Sequence, residues 1–296
     1  MTASDISLVR SIELIKTKSQ IYTQRYGPEC CRPIKIDFRS HELAKRNGEI
    51  IRSYHDNGFC IVEFTQGTAG EDCLLRFSKL MNLGPTYVPA QYRDTAVYSL
   101  RGFNVIAKDQ NKGIFSQHRG FYTDQAQSIH SDGTLEEIGK VKTSLFLCIL
   151  PAAKGGESII FNSVAAFVHM VDNSSAIACS LTNPIALERC AVNGNLSSVK
   201  GPAFSVAEGE LISRFSMDNT CNWEISFGTI SHLKEAVTFL SNLCNQGSGF
   251  YIEVPLLKNQ ALILANDKIS HGRREYLDSE NHKRTLIRGL FTTRPK

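Results

Sequence analysis

The chain has no C-x-x-C pair, no Gly-rich phosphate loop, no long lysine/arginine block and no internal repeat. Without C-x-x-C, a zinc ribbon or a thioredoxin-like site is not expected. "LGPTY" and "KGGES" are turns and not P-loops, so neither a nucleoside-triphosphatase nor a doubly wound dinucleotide fold has its fingerprint. The net charge of +4 over 296 residues is spread thinly, which excludes the basic stripe of a nucleic-acid partner. No apolar run approaches the roughly 20 residues of a membrane span. The N-terminal "MTASDISLVRSIELIKTKSQ" lacks the uninterrupted apolar centre of a signal peptide. The nine cysteines are odd in number and scattered, as expected of reduced thiols in a cytoplasmic protein. The vicinal Cys30-Cys31 pair is read in the same way.

What is present is an ordinary globular composition, 42% hydrophobic and 21% charged. Ile6, Val9, Ile12 and Ile15 recur at helical spacing and predict a short amphipathic helix. Residues 40–59 read as a helix ending near Gly58, "FCIVEF" (59–64) as a buried strand, and 70–84 as a helix closed by a glycine. Later, "KTSLFLCILP" (142–151), "ESIIFNS" (157–163), "GFYIEVPL" (249–256) and "QALILAND" (260–267) read as strands. Between them, 163–173 and 231–247 carry helical spacing. Short strands with helices packed outside predict a β-rich sandwich or barrel core with flanking helices.

Histidine, one residue, then aspartate occurs at His130-Ser131-Asp132. Eight histidines should produce such a tripeptide on the order of once by accident, so it decides nothing alone. If 128–134 is extended, both side chains leave the same face and can converge on one metal ion. His271, just after the strand "QALILAND", is the candidate third ligand. Two imidazoles and a carboxylate leave about half an octahedron open, the facial arrangement of non-heme Fe(II) oxygenases. "GGES" (155–158) places Ser158 at a strand start, and Arg284 and Arg288 stand four apart downstream. Either guanidinium pointing into a barrel could clamp a dicarboxylate.

Taken in order, "HSD" (130–132), "GGES" (155–158), "LILANDKISHGR" (262–273) and "RTLIR" (284–288) resemble the taurine dioxygenase-like (TauD/TfdA) family, which includes the clavaminate synthase-like enzymes. The resemblance spans roughly residues 50–294. It implies a double-stranded β-helix (jelly-roll, cupin-like) core and an Fe(II)- and 2-oxoglutarate-dependent dioxygenase that consumes O2 and releases succinate and CO2. It further implies His130, Asp132 and His271 as iron ligands, with Arg284 and the Ser158 hydroxyl on the distal carboxylate of 2-oxoglutarate. Arg288 would lie near the C1 carboxylate or the substrate. The family more usually has threonine where Ser158 stands, and "DN" where this chain has Ala265-Asn266. Because Asp132 is present, hydroxylation, desaturation or ring formation is expected in place of halogenation.

The chain is read as one oxygenase domain, 1–296, with an N-terminal helical extension (1–50) and a possible lid insert (189–222), which is rich in Gly, Ser and Asn. Residues 133–142 are a second lid candidate. The expected substrate is a small polar molecule, an amino acid or a natural-product intermediate, with Arg214, Asp218 and His118 as substrate contacts. Arg273 or Arg274 is expected to hold the C-terminal structure by a salt bridge. No nucleic-acid or membrane partner is expected. Two other classes stay open: a metal hydrolase on the same three ligands, and a barrel that binds a ligand without turnover. The first has no use for a buried R-x-x-x-R, and the second predicts metal-independent binding.

Overall fold

A computed structural model describes residues 2–66, 69–93, 97–108, 122–133, 135–191 and 197–296. Its centre is a six-stranded sheet ordered Ile34–Ile36, Phe59–Phe64, Gln260–Leu264, Thr143–Leu150, Thr285–Phe291 and Phe103–Ala107. Only the first pair is parallel. A four-stranded antiparallel sheet faces it, ordered Tyr251–Val254, Ser158–Phe161, Ser270–Arg273 and Gln127–His130. Strands from the two ends of the chain interleave in both sheets, which makes the core a double-stranded β-helix. Thr143–Leu150 has a neighbour on each edge and is buried along most of its length. That explains the unbroken apolar run from Leu145 to Leu150, since a strand covered on both faces has no polar side to show.

Among the described residues five α-helices coat the sheets. α1 (Ala3–Ile15) starts on a capping box in which the Thr2 side chain accepts from the Asp5 amide and the Asp5 carboxylate accepts from the Thr2 amide. Ile12 and Ile15 are buried, whereas Ile6 is exposed, so the apolar stripe begins later than its spacing suggested. α2 (Leu43–Asn57) ends where expected: Gly58 is left-handed at φ 79°, and a Cβ there would meet the Ile269 side chain at 2.4 Å. α3 (Glu71–Leu80) stops short of the expected Gly84 because Asn82 already turns the chain at φ 53°, a conformation asparagine tolerates. α4 (Ser163–Ser180) outruns the expected end at Asn173, but Ser174 is non-helical (φ −159°) and breaks it into two segments there. α5 (Leu233–Leu243) packs against α4, as does α1. No helix among the described residues is long and apolar enough to cross a membrane.

Residues 189–222, expected to be an irregular insert, form short strands: Leu187–Cys190, Ser198–Gly201, Phe204–Ala207, Glu210–Ser213 and Cys221–Asn222. Phe204, Leu211 and Phe215 are fully buried, and the Phe204 ring stacks on Phe167 of α4 with centroids 4.4 Å apart. The core-forming residues are too widely spaced between Gly, Ser and Asn to register as apolar runs. Ser216 bridges to His130, and the Met217 amide donates to the Ile129 carbonyl at 2.9 Å. The insert thus extends the four-stranded sheet beyond His130.

Candidate active site

The space between the two sheets collects the sequence's candidate ligands. His130 and His271 are cross-strand partners on Gln127–His130 and Ser270–Arg273, with ring centroids 4.4 Å apart. Regular strand structure ends at His130, two residues short of Asp132, so the two side chains do not share one strand face as an extended 130–132 would give. Asp132 still reaches both imidazoles. One donor atom from each of the three residues lies within 4.8 Å of the others, and Asp132 Oδ2 is 3.7 Å from His271 Nε2.

Hydrogen bonds replace the missing strand pairing. The Asp132 amide donates to Asn266 Oδ1 at 2.8 Å, while Asn266 Nδ2 donates to the carbonyls of Asp132 (3.2 Å) and Val141 (2.9 Å). Arg189 Nη2 donates to the Ser131 carbonyl at 2.9 Å. The carboxylate itself accepts from Ser144 Oγ at Oδ2 (2.7 Å) and from Arg288 Nη1 at Oδ1 (2.5 Å). Each bond fixes a group that burial would otherwise leave unsatisfied.

Electrostatics prepare the set for a cation. Burial alone would raise the Asp132 pKa, but the Arg288 guanidinium, the two imidazoles and the Ser144 hydroxyl hold it well below the usual carboxylate range. Burial, with His130 and Arg288 nearby, pushes His271 down to about 3 against the pull of Asp132, so it is neutral at physiological pH. His130 Nδ1–H donates to the Ser128 carbonyl at 2.9 Å, leaving Nε2 as the acceptor nitrogen. An ionised Asp132 carboxylate and a neutral His271 imidazole are protonation states a metal requires. The donor chemistry therefore fits a divalent first-row ion with an open coordination face.

The cavity beside this trio is lined by Gln127, Phe146, Ser158 and Leu262, and by the guanidinia of Arg273, Arg284 and Arg288. Arg284 is 5% exposed, and no carboxylate lies within salt-bridge distance of it among the described residues. Burial, then the Arg273 charge, pushes its pKa down to about 10. A buried cation partnered by the Tyr276 ring, 5.4 Å from its centroid, and by no bonded carboxylate among the described residues is a ready anion site. The second glycine of the 155–158 turn makes room for it. Gly156 sits at φ 79°, and a Cβ there would come within 3.0 Å of Arg284 Nε.

The other expected residues are placed as follows. Ser158 lines the cavity. Arg288 does too, though its guanidinium is bound to Asp132 and to the Tyr98 hydroxyl oxygen, the latter at 2.9 Å. Arg273 Nη2 donates to the carbonyls of Thr123 (2.8 Å) and Gln125 (2.6 Å), and Arg274 forms the expected salt bridge, with Glu253 at 2.7 Å. Arg214 donates to the Glu136 carbonyl, in the 133–142 segment. Asp218 accepts from Thr220 N (2.9 Å) and Oγ1 (2.6 Å). Neither Arg214 nor Asp218 lines the cavity. His118 lies outside the described residues. Sequence reasoning missed Ser144, Tyr98 and Arg189, which carry no motif, and assigned no task to Asn266. The signal for Asn266 was its place at the family's "DN" position, ahead of His271.

Comparison with known proteins agrees with this geometry. Residues 20–290 match the model of the "Taurine catabolism dioxygenase TauD, TfdA family". A uridine-5'-phosphate dioxygenase of Amycolatopsis sp is 32% identical over 281 residues, covering 94% of this chain and 98% of that protein. One of Streptomyces sp is 30% identical over 216 residues, covering 72% and 76%. Among solved structures, asparagine oxygenase in complex with Fe(II), 2S,3S-3-hydroxyasparagine and succinate superposes with a TM-score of 0.64 at 14% identity, over 98% of this chain and 92% of that one. The non-heme iron oxygenase OrfP in complex with Fe and alpha-ketoglutaric acid gives 0.57 at 15%, over 98% and 92%. These structures share the fold. The family match and the relatives decide the class: the chain belongs to the TauD/TfdA family of Fe(II)- and 2-oxoglutarate-dependent dioxygenases.

Proposed function

We propose that this dioxygenase oxidises a nucleoside 5'-phosphate, with Fe(II) held by His130, Asp132 and His271 and 2-oxoglutarate held by Arg284 and Ser158. The observation that carries the substrate class is the 32% identity over 94% of the chain to a protein named for uridine-5'-phosphate. It is more specific than the amino acid or natural-product intermediate expected from the sequence. Charge balance supports it. Three guanidinia and a divalent metal against one carboxylate leave a strongly positive cavity. The 2-oxoglutarate dianion offsets part of that charge, and a phosphate monoester of about −2 offsets the rest.

When bound, iron supplies oxygen activation coupled to decarboxylation of 2-oxoglutarate. The chain supplies position. Arg284 and Ser158 present a guanidinium and a hydroxyl to the distal carboxylate, and Gly156 gives Arg284 its space. Phe146, whose ring centroid lies 5.1 Å from that of His271, walls the ligands off from water. We read residues 1–296 as one catalytic domain and the setting as cytoplasmic, supported by nine unpaired cysteines.

The test is an anaerobic titration with Fe(II) and 2-oxoglutarate, watching for the visible band of the iron chelate, followed by succinate assays with uridine 5'-phosphate, uridine and free amino acids. The band should form and should be lost in Asp132→Ala, with turnover on the nucleotide only. Succinate formation coupled to an amino acid and not to the nucleotide would reject the substrate class. No band with folded, iron-treated protein would reject the ligand assignment.

A further inference from the structure

Asp132 is gripped asymmetrically. Its Oδ1 accepts from Arg288 Nη1 at 2.5 Å, and both side chains are almost wholly buried. Among the described residues its Oδ2 accepts only the neutral Ser144 hydroxyl, at 2.7 Å, and faces His271 Nε2 at 3.7 Å. Arg288 reaches across from Thr285–Phe291 of the six-stranded sheet, so the ion pair spans the gap between the sheets. Its second nitrogen, Nη2, donates to the Tyr98 hydroxyl oxygen at 2.9 Å. Tyr98 is in turn packed against Tyr92, with ring centroids 5.8 Å apart.

From this geometry we infer that Arg288 is a positioning residue, held by Tyr98, which occupies Oδ1 and leaves Oδ2, bonded to a neutral hydroxyl, as the Asp132 oxygen that would meet a metal. The role rests on the iron-ligand reading above and differs from direct contact of Arg288 with 2-oxoglutarate or substrate. A carboxylate can bind a cation through one oxygen or both. Binding through both would use a coordination position that a facial triad keeps open. A charge-assisted hydrogen bond on Oδ1 is about twice as strong as a neutral one and competes with that second contact. The weaker Ser144 bond on Oδ2 is compatible with a metal on the remaining lone pair.

The test uses full-length protein with Co(II) as a spectroscopic probe and no 2-oxoglutarate, so that no cosubstrate contact contributes. Arg288→Gln should weaken Co(II) binding by about tenfold or more, as loss of a ligand's hydrogen-bond partner typically does. It should also change the visible Co(II) spectrum, and Arg288→Lys should restore both in part. Because Arg288→Gln strands a buried carboxylate, Tyr98→Phe is the second variant. It keeps the ion pair's charges and should give a smaller shift in the same direction. Wild-type affinity and spectrum in Arg288→Gln, or in Tyr98→Phe if the first does not fold, would overturn the role while leaving the ligand set intact. Failure of the wild-type protein to bind Co(II) would overturn both.

Discussion

Replacing Arg189 with methionine should stabilise the fold and weaken the metal site at once. Arg189 is 1% exposed and, among the described residues, its Nε and Nη1 have no hydrogen-bond partner and its one bond is to the Ser131 carbonyl. Burial, with Arg214 adding repulsion, pushes its pKa from 12.5 down to about 10. It is still protonated at neutral pH, and that depression corresponds to about 3 kcal/mol against the charged form in the folded state. Methionine has similar length, adapts to irregular space and carries no charge. The substitution strands the Ser131 carbonyl, which costs about 1–2 kcal/mol. The net is about 1–2 kcal/mol of stabilisation, in line with other buried charges replaced by apolar groups. For a chain of this size, that raises Tm by about 2–4 °C. Scanning calorimetry of metal-free Arg189→Met should show the rise, and an anaerobic Fe(II) titration should show affinity lowered about tenfold as the residue between two ligands loses its anchor. A Tm more than about 5 °C below wild type would refute the reasoning, because the guanidinium would then be a net stabiliser.

Other perturbations should act in other directions. Asn266→Ala removes three hydrogen bonds from the ligand loop and should cost about 2–4 kcal/mol, a Tm loss opposite in sign to Arg189→Met. Arg284→Gln should lower 2-oxoglutarate affinity about 100-fold, the worth of one or two charge-assisted bonds, with Fe(II) affinity unchanged by calorimetry. Gly156→Ala places a Cβ 3.0 Å from Arg284 Nε in a left-handed residue. It should weaken 2-oxoglutarate and cost about 1–2 kcal/mol of stability, measured by parallel cosubstrate titration and thermal melting. Because the folded-state pKa of His271 is depressed to about 3, the unfolded chain binds a proton between about pH 6.5 and 3 that the folded chain does not. Metal-free stability should therefore fall as pH falls through that window, by about 2 kcal/mol at pH 5. Melting curves of His271→Asn should have a visibly flatter pH dependence, and an unchanged slope would remove His271 as the cause.

Local sequence was enough for the elements whose own residues decide them. Thr143–Leu150 announced itself by an unbroken apolar run, and α2 by a helix-terminating Gly58. The H-x-D, G-G-x-S, distal histidine and R-x-x-x-R pattern was legible because each part needs a fixed residue type at a fixed offset. The 187–222 strands were not, because Phe204, Leu211 and Phe215 are core by virtue of what packs on them, α4 included. Which residues hold Asp132 was equally invisible. Ser144, Arg189, Asn266 and Arg288 come from four separate segments, and hydrogen-bonding side chains 12 to 156 positions away leave no periodicity to read. By itself the sequence determined the candidate ligand types, their order and the strand pattern, since these depend on residue chemistry and near-neighbour spacing. Only the tertiary structure decided which oxygen of Asp132 faces the histidines and which faces Arg288, because that depends on how two sheets, assembled from opposite ends of the chain, meet across a closed core.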